Sequence, residues 1–186
     1  MRKRHIMAAS ALLAGLALPG IRANAHTTGA HVHGAAQAAI VVNGPDVSIS
    51  LTSAMYNITG FERAPANADE EILLADAVAS LEAGASLFVL APQADCRLTG
   101  SRHSLPVADS DMPAGADEGV DHNPYRDLEA GFEFSCGSPS GLRSVRFDLL
   151  ERFGNLEKLD VIVFMGDRQA AYEVTRDNRQ IELPAR

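Results

Sequence analysis

Tryptophan is absent, and tyrosine occurs only at Tyr56, Tyr125 and Tyr172. So few aromatic faces leave little surface on which a sugar chain could stack. The phosphate-cradling G-x-x-x-x-G-K-[ST], the dinucleotide G-x-G-x-x-G, the hydrolase elbow G-x-S-x-G and the metalloprotease H-E-x-x-H are all missing. Catalysis has no positive signature, and the expectation is a protein that is not an enzyme. Basic residues are scarce, with 16 Lys and Arg against 24 Asp and Glu. An acidic chain of this kind is a poor partner for nucleic acid and a better one for cations.

Long apolar runs are missing too, apart from Ile6–Leu18, which follows Arg2, Lys3 and Arg4 and precedes a small-residue A-x-A site at Ala23-Asn24-Ala25. That order reads as a cleavable export signal over residues 1–25. The run is about 13 residues, short of the roughly 20 that a membrane-spanning helix needs, so no stable membrane insertion is expected. Cleavage would leave 161 residues starting at His26, without Arg2, Lys3, Arg4 and Arg22, and a formal balance of 24 acids to 12 bases. This is the length of one domain. The expected organisation is a signal peptide over 1–25, a flexible His-containing leader over 26–34 and a single domain over 35–186.

Only two cysteines occur, Cys96 and Cys136. In an exported chain an even count favours a disulfide, and neither has the neighbouring Cys or His of a zinc-finger spacing.

Along the mature chain, Ile40 and Val42 alternate before Asn43-Gly44-Pro45-Asp46, and Val47, Ile49 and Leu51 alternate after it, which predicts a β-hairpin. Asn67 is placed to cap a helix with Asp69, Glu70 and Glu71 in its first turn, an apolar face of Leu74, Ala77, Val78 and Leu81, and Gly84 at its end. Cys96–Leu105 and Leu128–Cys136 read as extended segments, and pairing between them would bring the cysteines together. Val145, Phe147 and Leu149 alternate, a short helix is expected over Glu151–Leu159, and Val161–Met165 turns at Gly166-Asp167 to meet Ala170–Thr175. Strands in runs with interposed helices predict an α+β domain, mostly antiparallel sheet with one or two packed helices.

The candidate chemistry is metal binding. His26, His31 and His33 crowd the expected mature N-terminus in HTTGAHVHG, and imidazole is the commonest protein ligand for zinc and copper. In an extended segment His31 and His33 would face one side, and His26 would add a free α-amine to its ring. A weaker candidate is the stretch Ser104–Tyr125, which has no Lys or Arg, with Asp109, Asp111 and Asp121 among its carboxylates, His103 just before it and His122 near its end.

Taken together, HVHG, NITGFERAP, SLFVLAPQADC, GFEFSC and LLERFGNLEKLDVIV, in this order, resemble the ZrgA-like periplasmic family associated with zinc uptake. The resemblance covers nearly all of the mature chain. It implies a periplasmic zinc-binding accessory of a zinc acquisition system, working beside a transporter component, with His31 and His33 on the family's H-x-H-G element. Arg63 stands where the family pattern carries His, and the tract between the cysteines keeps its carboxylates with only His122. Two other classes are compatible with the residues: a copper-binding or copper-oxidase protein with an N-terminal histidine brace on His26, and an envelope binding module that takes no metal.

Overall fold

Period-two alternation decides the first hairpin. The computed structural model describes residues 32–105 and 127–184. Strand β1, Ala35–Asn43, buries Ala36, Ala38, Ile40 and Val42, and β2, Asp46–Ala54, buries Val47, Ile49 and Leu51. The turn between them uses Gly44 at φ 60°, a conformation that costs glycine little. A single helical turn, α1 at Tyr56–Thr59, follows and ends on Gly60 at φ 88°.

Helix α2, Ala68–Glu82, starts as expected, with the Asn67 side chain accepting from the Glu70 amide at 3.0 Å. Three acids in its first turn complement the positive end of the helix dipole. Ala77 and Leu81 are buried, and Leu74 and Val78 pack against the core. Gly84 opens a short 3-10 turn, Gly84–Ser86. Its role is close approach: a Cβ there would run into the Phe132 ring.

Then come β3 (Phe88–Leu90), β4 (Cys96–His103), β5 (Asp127–Cys136) and β6 (Ser144–Phe147). The expected helix over Glu151–Leu159 is shorter and earlier: α3 spans Leu149–Arg152. It ends where Phe153 turns extended, ahead of Gly154-Asn155, and the Arg176 guanidinium takes the carbonyls of Gly154 and Leu156 beyond it. Leu159 belongs to β7, Lys158–Met165, which turns into β8, Arg168–Thr175. A short β9, Gln180–Glu182, closes the order.

Six strands form one sheet in the order β4-β5-β2-β1-β7-β8, and β3-β6-β9 form a second. Every pairing is antiparallel except β1 with β7, which run parallel from Ala35 beside Lys158 to Val42 beside Met165. The fold class is thus the expected mostly-β domain with a few packed helices and one core. Phe88 of β3 meets Phe132 of β5 at 4.9 Å between ring centres, joining the second sheet to the inner face of the first. The outer face carries the exposed Val41, Ile162 and Phe164. Cys96 and Cys136 are direct partners across β4 and β5 and form the expected disulfide.

Candidate metal centre

One end of the large sheet gathers the chemistry. There β1 begins, β2 ends, β5 begins and β4 ends, so Val32, His103, Leu105 and Asp127 all lie toward that end.

Immediately before β1 the chain makes a β-turn, with the Ala35 amide donating to Val32 O at 3.2 Å. Gly34, third in the turn, takes φ 82°, the position at which a type II turn calls for glycine. The expectation that an extended backbone would set His31 and His33 on one side therefore does not carry to His33, which occupies the turn's second position. The last residues of the expected leader, Val32–Gly34, are tied to the domain. Gly34 O accepts from the amides of Glu157 at 2.8 Å and Lys158 at 3.0 Å.

Asn57, on α1 and fully buried, holds the same turn from below. Its Oδ1 accepts from the Gly34 amide at 2.7 Å, and its Nδ2 donates to Val32 O at 3.1 Å, Ala35 O at 2.9 Å and Ser53 Oγ at 3.1 Å. A buried amide with its donors and acceptor used in this way costs little to bury and fixes what it touches.

The His33 ring stacks on Tyr56, first residue of α1, with centroids 4.2 Å apart and planes 18° from parallel. His33 Nε2 lies 3.1 Å from Glu62 Oε1. Glu62 follows Phe61, whose buried ring and Thr59 contacts anchor the exit from α1: Thr59 Oγ1 donates to Phe61 O at 3.0 Å. Arg63 is committed elsewhere, with Nη1 and Nη2 at 2.5 and 2.7 Å from the two Glu70 oxygens. Those bonds, with one from the Ala66 amide, hold the Glu70 carboxyl down at about 2. A third carboxylate, Glu157, lies alongside Gly34, so that a Cβ at Gly34 would meet it at 3.4 Å.

An ionised carboxylate only accepts hydrogen bonds, so in the neutral imidazole the bond to Glu62 is donated by Nε2 and the lone pair falls on Nδ1. No hydrogen bond between described residues engages Nδ1 of His33. A histidine oriented by a carboxylate through one nitrogen and open at the other is the arrangement by which proteins present imidazole to a metal ion. Among the described residues no group of three or more His, Cys, Asp or Glu could hold a metal ion.

His103 sits apart, three strand spacings from β1, roughly 14 Å across the sheet. Its side chain is 10% exposed, with Nε2 4.0 Å from Glu82 Oε1, and its Nδ1 has no hydrogen-bond partner among the described residues. The structure thus does not bring His103 to His33. His26, His31, Asp109, Asp111, Asp121 and His122 lie outside the described residues.

Reading the sequence for ligands named His33 but not the residues around it, Tyr56, Asn57 and Glu62. The segment holding all three, YNITGFE, carried one usable signal: Gly60 breaks a short helix just before an apolar–acidic pair.

Among the described residues no helix is long and apolar enough to cross a membrane. No curated protein matches the chain. A family model described as "ZrgA family zinc uptake protein" matches residues 30–183, which takes in the His33 turn, α1, both cysteines and every strand described above. The chain belongs to the ZrgA family of zinc uptake proteins.

Proposed function

We propose that the chain is a periplasmic zinc-binding accessory protein of a zinc acquisition system, one that carries the ion as cargo and catalyses nothing. The observation that supports this most directly is His33, flat on Tyr56 with Nε2 on Glu62. Nδ1 of His33 is the first ligand in this reading, and Glu62 is the carboxylate that fixes ring orientation and basicity. His31 and His26 are the nearest imidazoles in sequence that could add to it, toward the four ligands zinc usually takes. The signal-like residues 1–25 and the Cys96–Cys136 disulfide favour an oxidising compartment outside the cytoplasm.

Competitive zinc titration of the metal-stripped protein starting at His26 tests this. The parent should take up one zinc, and a His31→Ala/His33→Ala variant should take up none while keeping its fold. Glu62→Gln should bind about 10- to 100-fold more weakly, the usual effect of removing the partner of a ligating histidine. Unchanged affinity in the double variant would move the site away from His33, and no binding in the parent would overturn the zinc reading. Adding one residue before His26 blocks its α-amine, so unchanged binding there would exclude a histidine brace.

A further inference from the structure

We infer that Asn57 is a positioning residue for metal capture, and that it sets the His33 turn in its binding geometry before any ion arrives. The inference rests on the zinc-binding reading above. Asn57 touches neither His33's ring nor Glu62 in the bonds it makes; it acts through the backbone on both sides of His33. Its single side chain bonds the carbonyl of Val32, the amide of Gly34 and the carbonyl of Ala35. Three links, one before His33 and two after it, fix the direction in which its side chain leaves the chain.

The base of this clamp is equally fixed. Asn57 is buried on α1, and Ser53, which it also bonds, is buried at the end of β2. Tyr56, against which the His33 ring stacks, is the adjacent residue of the same helical turn. One rigid element therefore holds the turn through Asn57 and the ring through Tyr56. A ligand on a loose leader must lose chain freedom when it binds. A ligand already held loses little, and it binds correspondingly tighter.

The test measures zinc affinity and the apo-state NMR signals of the His33 ring in the parent, Asn57→Ala, Gly34→Ala and His33→Ala. Gly34→Ala breaks the same turn from outside the core, because φ 82° is poorly tolerated with a Cβ, and it decides the matter should Asn57→Ala fail to fold. In the metal-free parent, stacking on Tyr56 should shift the His33 ring protons upfield. Both turn variants should lose that shift and bind zinc at least tenfold more weakly, with an otherwise preserved spectrum. A purely structural Asn57 would lower the melting temperature and leave the affinity and ring shift of the folded fraction unchanged, which overturns the inference. Absence of the shift in the metal-free parent overturns it as well. If instead His33→Ala leaves zinc binding intact, the site assignment itself has failed, a result distinguishable from either of these.

Discussion

Gly84 and Phe132 leave no room for a methyl group between them, since a Cβ on Gly84 would fall inside contact distance of the ring atoms Cδ1 and Cε1. Phe132 has little room to retreat. It packs on Phe88 at 4.9 Å, Phe88 lies 6.0 Å from Phe147, and all three rings are buried. Gly84→Ala should therefore destabilise the domain by about 1–3 kcal/mol, the usual range for overpacking a full core. Urea unfolding would show a lower midpoint with an unchanged slope. Gly154→Ala, where nothing lies within 4 Å, is the matched control; equal midpoints for the two variants would refute the packing argument.

The Arg63–Glu70 pair makes an acid-limb prediction. Arg63, then the Ala66 amide, lower the Glu70 carboxyl from an ordinary 4.5 to about 2. Its folded value lies below its unfolded one, so its contribution is complete above pH 4.5 and fades as pH falls toward 2. Glu70→Gln keeps an oxygen for the Ala66 amide and removes the charge. The gap in melting temperature between parent and variant should close across that window. It should also shrink in high salt, because the Arg63 side chain is 53% exposed. A gap independent of both pH and salt would show that charge is not the cause.

Reducing the Cys96–Cys136 bond should lower the melting temperature without changing the sheet's pairing at neighbouring positions. The bond spans a sequence separation of 40, for which loop-closure entropy gives an upper figure of about 4 kcal/mol. Calorimetry with and without reductant measures it, and a Cys96→Ala/Cys136→Ala variant should match the reduced protein. Identical melting in all forms would mean that the sheet alone restrains this segment.

Local signals carried much of the fold. The hairpins at Gly44 and Gly166, the Asn67 cap and the cysteine pairing each depend on residues a few positions apart or on a count of two, and all were legible. The β1–β7 pairing was not, because Ala35 and Lys158 meet only in the tertiary structure and nothing local marks them as neighbours. Strands of three residues, β3 and β9, are too short to show a period. Helix α3 stops at Arg152, ahead of Gly154-Asn155, a local stop signal that the expected span ran through. The site divides the same way. Histidines announce themselves, whereas Asn57 in sequence is an ordinary polar residue beside a tyrosine, and its four bonds reach back to Val32, Gly34, Ala35 and Ser53.

The parallel seam between β1 and β7 also joins segments that are distant in sequence. Strand β1 is an interior strand of the sheet, yet one of its two neighbours is far from it along the chain, Ala35 lying beside Lys158. Long-range pairings of this kind slow folding, because the loop must close before its contacts form. Until Lys158–Met165 is available, the first hairpin presents β1 as an open strand edge, able to pair with another chain. The turn that carries His33 draws on the same seam, since Gly34 O receives bonds from Glu157 and Lys158. Loss of the β7 pairing would thus open a strand edge and remove two backbone bonds from the histidine turn together.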